Sequence, residues 1–364
     1  MKTTRSIVAF VIGTKLALFV FGTAAFLWLL NENPPNYQPY FGIWNRWDAP
    51  AYIGIAQHGY AAVGDRHWDI VFFPLYPLLV SLFSLPTGDY VQGGVLVSAV
   101  ASVFLALYFH RLIKLDYPHW VADRAIWFLF IFPTAYFLHI PYTESLFLAL
   151  VVGTFYSVRK ERWLLAGILG AAACATRVNG LILCAALPFE LWTAWKREQR
   201  IKASWAWLGL IPLGFVAYLG INYFIFGDPF EFLTIQREHW QKYLANPITG
   251  VLGKFHAVLT DTRPAPRMEI LFEAVFIAIG FLGTALGWKH LRGSYRVWMV
   301  LSWLLFVSTS FILSVPRYTL TMFPLFIVMA VSLRKPVRFA VASVISILFL
   351  ALFTAQFAMG RWAF

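Results

Sequence analysis

The chain has 364 residues, of which 60% are hydrophobic and 13% are charged. A soluble core does not need so much apolar surface, so the composition indicates a polytopic membrane protein. The formal net charge of +12 does not indicate nucleic-acid binding, because the basic residues cluster in short segments between apolar runs. Cys174 and Cys184 lie in apolar segments and provide neither a disulfide framework nor a metal-site spacing.

The first apolar run, residues 6–30, is longer than the hydrophobic region of a usual signal peptide, and it contains Lys15. We therefore predict a retained first span. Lys15 either extends to the cytoplasmic surface, which the sequence favours, or faces a neighbouring helix. The next run, residues 72–86, is short and contains three prolines, so we expect it to dip into or lie on the outer leaflet.

The remaining apolar runs complete the prediction of an all-α bundle. Together with the first run they predict about eleven transmembrane helices, at residues 6–30, 91–109, 122–139, 144–158, 163–176, 180–195, 205–226, 269–288, 297–313, 319–333 and 338–358. Of the 29 Lys and Arg residues, 18 fall in the short segments that this arrangement assigns to the cytoplasm. The charge pattern therefore predicts a cytoplasmic amino end and an outer carboxyl end, with one membrane domain over residues 1–364.

A polar and aromatic stretch, residues 44–77, follows the first span and interrupts the apolar sequence. Helical spacing lets Tyr52 and Ile55 point one way while Asp48 lies on another side, as in a helix on a membrane surface. Asp48 would then face water or a ligand. The alternative is an interfacial helix that is anchored by its aromatic residues, in which Asp48 pairs with Arg46.

Three further charged residues lie at the outer ends of predicted spans: Glu144, Arg177 and Arg317. Charges at the edge of hydrocarbon are costly, so several on one side indicate a site. Each also has a structural alternative, which is a helix-dipole role for Glu144 and a membrane-edge anchor for the arginines. The planar guanidinium suits phosphate oxygens, and a carboxylate facing it can accept a proton from an attacking hydroxyl.

The sequence contains neither GxxxxGK[ST] nor GxGxxG, so no nucleotide-binding loop is indicated. A donor that arrives as a lipid-linked phosphate, rather than as a nucleotide sugar, would account for this. Asp65, His67 and Asp69 form a weak candidate for a metal site. We predict no cofactor, since a phosphate is already a good leaving group and does not demand a metal.

Five sequence blocks, in order along the chain, resemble the PIG-V family of mannosyltransferases within the GT-C superfamily. The family pattern WDAxxFxxIAxxGY…FFPxxP is matched by WDAPAYIGIAQHGY and VFFPLYP, with Tyr52 where phenylalanine is common. The remaining blocks are PYTESLF (141–147), TRVNG (176–180), FGDPFEFLTIQREHW (226–240) and RYTLTMFPLF (317–326). The first block is highly specific, and the resemblance covers nearly the whole chain.

The resemblance implies a GT-C-like fold, with interfacial helices in the first outer loop, and an inverting transfer of mannose from a polyprenyl-phosphate carrier to an acceptor outside the cytoplasm. Asp48 matches the catalytic acid of the first outer loop, and Glu144 falls near a second acidic position. Arg177 and Arg317 would hold the carrier phosphate. The expected sugar or acceptor side consists of Trp47, His58, Tyr60, Gln236 and Trp240. The alternative for Gln236 and Trp240 is a surface helix anchored by the tryptophan, and the alternative for His58 and Tyr60 is packing.

The acceptor class is a glycan, a glycolipid or a protein, and the compact chain favours a bacterial plasma membrane over the endoplasmic reticulum. Two other functional classes are alternatives to a glycosyltransferase. A lipid or small-molecule transporter would line its pathway with intramembrane charges, but such folds often show paired repeats, and this sequence shows none. An assembly subunit would use the aromatic loop for docking.

Overall fold

The computed structural model describes residues 3–30, 39–261 and 264–364, and the side chains of residues 3–29, 41–261 and 268–364. Within these ranges a single isolated bridge, Leu244 with Thr309, is the sole strand-like pairing. In chain order the α-helices are α1 (Thr4–Leu30), α2 (Pro39–Gly42), α3 (Ala49–His58), α4 (Leu75–Ser84), α5 (Tyr90–Ile113), α6 (His119–Phe130), α7 (Glu144–Arg159), α8 (Trp163–Cys174), α9 (Ile182–Ala186), α10 (Pro188–Glu198), α11 (Leu213–Phe226), α12 (Glu231–Trp240), α13 (Pro247–Thr260), α14 (Pro264–Gly287), α15 (Gly293–Val307), α16 (Val315–Leu320), α17 (Pro324–Ser332) and α18 (Pro336–Ala358). The 3-10 helices are His67–Val71, Ala135–Leu138, Val178–Leu181 and Ala203–Leu210.

Six helical segments of the described chain are long and apolar enough to cross a membrane. They are Thr4–Leu29, Tyr90–Ile113, Val178–Glu198, Ala203–Phe226, Met268–Gly287 and Pro336–Ala358. They confirm the prediction of an all-α polytopic membrane protein. The other five predicted spans coincide with shorter helices, α6, α7, α8, α15 and α17, so the number eleven stays a prediction. The predicted outer segment 72–86 contains α4, which is also too short for a straight span.

The chain between α6 and α7 is irregular although it lies in the packed interior. Its carbonyl groups need donors from the protein, because irregular backbone in a membrane protein has no lipid partner for its polar groups. The Leu138 carbonyl accepts a hydrogen bond from the Ser102 hydroxyl at 2.6 Å, and the Ile140 carbonyl accepts one from Ser98 at 2.7 Å. The two serines are four residues apart on α5, so they present their hydroxyls on one helix face.

Lys15 faces this irregular segment, so the expectation that it extends to the cytoplasmic surface is wrong. Its ammonium donates to the His139 carbonyl at 2.6 Å and to the Val95 carbonyl at 3.2 Å. It also lies 5.0 Å from the centroid of the Phe19 ring. One carbonyl of the irregular segment and one of helix α5 thus supply the oxygen ligands that a lysine inside a span requires.

An aromatic cluster fills the interior between α7, α15 and the α16–α17 connection. The Phe323 ring contacts Phe155 at a centroid distance of 5.3 Å and Tyr295 at 5.4 Å. Trp298 packs on Phe155 at 6.0 Å, and its indole N–H donates to the Thr321 carbonyl. Because lipid is as apolar as these side chains, close packing rather than water exclusion stabilises such a core.

Two acids and two arginines join four segments at the end of the bundle that the sequence assigns to the cytoplasm; we call them the Asp116 cluster. Arg159 donates to both oxygens of Asp116, at 2.6 and 2.8 Å. Arg292 donates to both oxygens of Glu190, at 3.0 and 2.9 Å, and reaches Asp116 at 3.2 Å. The Ser294 hydroxyl also donates to Glu190, at 2.5 Å. Hydrogen bonds to every carboxylate oxygen offset the free-energy cost of removing these charges from water.

Helices α8 and α11 pack closely because one of them carries a glycine at the contact. A β-carbon placed on Gly214 would lie 1.8 Å from the Ala171 carbonyl oxygen, whereas one placed on Gly220 would meet no atom within 4 Å. Small residues at helix contacts let two backbones approach in this way in membrane proteins.

We predict that Gly214→Ala lowers the free energy of unfolding by about 1–3 kcal/mol, since the added methyl group must push the helices apart. Gly220→Ala, in the same helix, is the matched control and should be neutral or slightly stabilising, because alanine is the better helix former. Thermal unfolding in detergent micelles measures both variants. Equal stability of the two would contradict the close approach.

Candidate active site

The chain turns sharply before α3, and Asp48 occupies the residue that precedes the helix. Aspartate at this position commonly accepts hydrogen bonds from the first helical turn, but the Asp48 side chain makes no such bond here. Trp47 adopts a left-handed φ of 59°, which is uncommon for a bulky residue. The Tyr142 hydroxyl accepts from the Asp48 N–H at 3.2 Å and donates to the Arg46 carbonyl at 2.8 Å. The turn is therefore held with the Asp48 carboxylate directed away from its own helix.

Four charged side chains that the sequence analysis selected lie together in the structure. Asp48 Oδ2 contacts Arg317 Nη1 at 2.5 Å, and Arg317 Nε donates to Glu144 Oε1 at 2.5 Å. Arg177 Nη1 donates to the same Glu144 oxygen, also at 2.5 Å. We call Asp48, Glu144, Arg177 and Arg317 the charge quartet. Arg46 is engaged elsewhere, since its Nε donates to the Ile43 carbonyl, so the alternative pairing of Asp48 with Arg46 is not what the structure shows.

The quartet is graded in exposure from one end to the other. Glu144 is fully buried, and the Arg317 side chain is 7% exposed, but 36% of the Asp48 side chain is accessible. Glu144 Oε2 has no hydrogen-bond partner among the described residues. Asp48, the exposed acid, is thus open to a ligand, while Glu144, the buried acid, holds both arginines in place.

Aromatic rings surround the two guanidinium groups. Arg317 Cζ lies 4.6 Å from the centroid of Tyr142 and 4.9 Å from that of Phe137. Arg177 Cζ lies 5.5 Å from the centroid of Tyr318. Such cation–π contacts stabilise cations that have little access to water. These rings were not among the predicted site residues, although Tyr318 follows Arg317 and Tyr142 lies two residues before Glu144.

A second buried acid holds the helix that carries Arg317. Glu273 on α14 accepts the backbone N–H groups of Ser314 at 2.7 Å and Val315 at 2.9 Å, so its two oxygens cap the start of α16. Ser314 has a left-handed φ of 65°, and the Thr134 hydroxyl binds the Pro316 carbonyl at 2.9 Å. The sequence analysis missed this residue. The available signal was a carboxylate four residues inside the predicted span 269–288, which begins with a second one, Glu269.

For the other residues selected from the predicted first outer loop, no described hydrogen bond, ion pair or ring contact joins their side chains to the quartet. Trp47 is 46% exposed and packs edge-on against Trp362 at 5.0 Å. His58 is exposed at the end of α3. The Tyr60 hydroxyl donates to the Phe72 carbonyl at 2.6 Å, which makes it part of the loop packing. Of these residues, Trp47 is next to Asp48 in the sequence, and its ring is accessible.

Gln236 and Trp240 lie on α12, and no described contact joins them to the quartet. Trp240 is 39% exposed, and the Gln236 carbonyl accepts the Lys242 N–H at 2.9 Å. Helix α12 contacts the first loop through the rings of His239 and Trp68, whose centroids lie 4.0 Å apart. Their placement on the acceptor side stays a prediction.

The three residues of the weak metal-site candidate, Asp65, His67 and Asp69, each make a contact with a different residue. Asp69 pairs with Arg66 at 3.3 Å, and His67 Nδ1 lies 2.7 Å from the Gly64 carbonyl. The backbone carbonyl of Asp65 accepts a hydrogen bond from the Trp68 indole. Among the described side chains, no group of three histidine, cysteine or acidic residues is placed to hold a metal ion. The prediction about cofactors stays a prediction.

The fold defines a class, the integral multi-pass membrane proteins with a GT-C-like fold. The structure resembles that of ArnT from Cupriavidus metallidurans bound to undecaprenyl phosphate, with a TM-score of 0.55. The likeness covers 93% of this chain and 62% of that chain at 14% sequence identity, so it shows the fold alone.

Comparison with known sequences gives a more specific resemblance than the fold does. The chain is 28% identical to GPI mannosyltransferase 2 of Schizosaccharomyces pombe over 155 residues, and 31% identical to GPI alpha-1,6-mannosyltransferase 2 of Mus musculus over 150 residues. These matches cover 41% and 38% of this chain, but 32% and 29% of the relatives. No family model matches the sequence. The resemblance to the PIG-V mannosyltransferases is confirmed over that part of the chain.

The burial gradient predicts unequal costs for neutralising the two acids. Glu144→Gln leaves two nearly buried guanidinium groups without their shared carboxylate and should cost about 3–5 kcal/mol of stability. Asp48→Asn changes a partly accessible residue with one ionic contact and should cost about 1 kcal/mol or less. Unfolding of the purified variants in micelles tests this order. A larger loss for Asp48→Asn would contradict it.

Proposed function

We propose that this protein is an inverting membrane glycosyltransferase that transfers mannose from a polyprenyl-phosphate-mannose donor to an acceptor hydroxyl. One observation carries the proposal: Asp48 of the WDAPAY block contacts Arg317 of the RYT block, although 269 positions separate them. The two blocks with family resemblance thus meet in one partly accessible acid–guanidinium pair. A structural ion pair has no need of the accessible carboxylate.

The comparisons support this choice of donor and sugar. The structural neighbour ArnT was solved with undecaprenyl phosphate, and both sequence relatives are named as GPI mannosyltransferases. The matched regions span about a third of those relatives, so the acceptor need not be the same. We propose a glycan, glycolipid or protein hydroxyl as the acceptor.

In the proposed reaction the acceptor hydroxyl attacks the anomeric carbon from the face opposite the phosphate. The new bond joins the acceptor oxygen to that carbon, and the bond between the carbon and the phosphate oxygen breaks. Asp48 takes the hydroxyl proton as the new bond forms. Its accessible carboxylate has one oxygen on Arg317, which leaves the other oxygen for the acceptor.

Arg317 and Arg177 stabilise the charge that develops on the departing phosphate. Glu144 orients both guanidinium groups through a single oxygen, since both arginines bind Oε1. Trp47, next to Asp48, offers an accessible ring to a sugar face. His58, Tyr60, Gln236 and Trp240 are proposed as more distant contributors to the sugar or acceptor side. The reaction as drawn uses no metal.

We propose an outer location for the site, with a cytoplasmic amino end and one catalytic domain over residues 1–364. The described ion pairs support this sidedness, because none of them joins a predicted outer segment to a predicted cytoplasmic one. The quartet joins predicted outer segments to the outer end of the predicted span 144–158. The Asp116 cluster joins predicted cytoplasmic segments to Glu190, in the cytoplasmic half of the predicted span 180–195. A bacterial plasma membrane is the proposed compartment.

We predict that Asp48→Asn lowers the rate of mannose transfer about 10²–10⁴-fold, because an amide cannot accept the acceptor proton. Purified protein is supplied with radiolabelled polyprenyl-phosphate-mannose and a panel of acceptors, and labelled product and free polyprenyl phosphate are measured. Thermal unfolding of the variant checks that it is folded. Near-normal transfer by the folded variant would remove Asp48 from the mechanism. Absence of transfer by the wild type with every acceptor, together with movement of the lipid between leaflets, would favour a transporter.

Arg177→Lys should chiefly weaken donor binding. Arg177 contacts Thr143 and Glu144 through Nη1 alone, at 3.0 and 2.5 Å. Lysine keeps the positive charge but loses the other donors of the planar guanidinium, which would bind the phosphate oxygens. We expect the KM for the lipid donor to rise about tenfold, with a smaller change in kcat. An unchanged KM for the donor would count against a role for Arg177 at the phosphate.

A further inference from the structure

A third cation, Lys242, contacts the same aromatic ring as Arg177 of the charge quartet. Lys242 Nζ lies 5.4 Å from the centroid of the Tyr318 ring, and Arg177 Cζ lies 5.5 Å from the same centroid. Lys242 takes part in no ion pair among the described residues, whereas the guanidinium groups of Arg177 and Arg317 both contact carboxylates. The sequence analysis did not select Lys242.

The backbone on both sides of Lys242 is fixed, so its position is not that of a free loop. Helix α12 ends at Trp240, and the following Gln241 has a left-handed φ of 51°. The Lys242 N–H then donates to the Gln236 carbonyl at 2.9 Å. On the other side, the Tyr243 carbonyl accepts the Ser310 N–H at 2.8 Å, and the Tyr243 N–H donates to the Ser310 hydroxyl at 3.0 Å.

The charge of Lys242 reaches the site electrostatically. It holds the pKa of the Tyr318 hydroxyl below its ordinary value, against the opposing effect of burial. The other acid of this region, Glu273, is occupied by two backbone N–H groups and interacts more strongly with Lys254 than with Lys242. The positive charge of Lys242 is therefore available to an anion at the quartet.

We propose that Lys242 is a further phosphate-binding residue, which supplies the positive charge that the neutral quartet lacks. This inference rests on the proposed function and deepens it. The quartet holds two positive and two negative charges, so it cannot balance an anionic donor by itself. With Lys242 the site carries one net positive charge, which matches the single negative charge of a polyprenyl-phosphate sugar, a phosphodiester.

The charges of the quartet, Lys242 and the lipid also cancel after transfer. The released polyprenyl phosphate is a monoester, whose charge approaches two negative units above its second pKa of about 6. Asp48 has meanwhile taken the acceptor proton and become neutral, so the quartet gains one net positive charge. Quartet and Lys242 together then carry two positive charges against the product's two negative ones. The quartet together with Lys242 therefore balances the charge of the donor before transfer and that of the product after it.

The experiment compares binding of undecaprenyl phosphate and of its methyl ester, which keeps a single negative charge, to the full chain in nanodiscs at about pH 8. We expect Lys242→Gln to weaken binding of undecaprenyl phosphate about tenfold or more, and binding of the methyl ester by a smaller factor. Lys242→Arg should keep most of the affinity for both lipids. A purely structural role would not distinguish the two charge states.

Arg237→Gln is the matched control, because it removes one positive charge from the exposed face of the same outer segment, where Arg237 lies over Tyr243. It should leave both affinities unchanged. Equal affinities of Lys242→Gln and the wild type for both lipids would overturn the role of Lys242 while leaving the proposed function standing. Failure of the wild type to bind undecaprenyl phosphate would instead overturn the proposed function itself.

Discussion

The ionic chain from Asp48 through Arg317 and Glu144 to Arg177 is the constraint on which the site depends. Burying any one of these charges alone would be prohibitive, and the chain is tolerable because each charge contacts an opposite one. Its members come from the first outer loop, the start of α7, the turn after α8 and helix α16. Those four segments must therefore reach their final places together, which makes the quartet a condition of folding as well as the proposed centre of the chemistry.

The segments that carry the quartet are short or irregular, so other buried polar groups hold them in place. Glu273 caps α16, Tyr142 bridges the turn at Asp48, and Lys15 with two serines of α5 binds the carbonyls before Glu144. Each of these bonds satisfies backbone that lipid cannot. Precision at the charged atoms thus comes from hydrogen bonds to the main chain, and the aromatic packing beneath supplies rigidity.

The sequence predicted the residues of the quartet, because a charge at the end of an apolar run is conspicuous. It did not predict partners that are defined by the path of the backbone. Lys15 was assigned to the membrane surface because the irregular stretch that binds it looks like part of a continuous apolar run. In the sequence, Lys242 resembles any other lysine of a predicted loop. In the structure, the left-handed Gln241 and the backbone hydrogen bonds to residues 308–310 place it near Tyr318.

The Asp116 cluster provides an internal comparison, since it too consists of two acids and two arginines. There, all four carboxylate oxygens of Asp116 and Glu190 accept hydrogen bonds from arginine or serine. In the quartet, Asp48 and Glu144 each use a single oxygen in the described contacts, and Glu144 Oε2 is buried without a partner. A cluster that serves stability alone saturates its acceptors, because an unmet buried acceptor costs free energy. The unsaturated quartet retains an accessible acceptor on Asp48 for a ligand. This difference, rather than its composition, distinguishes it as the proposed site of chemistry.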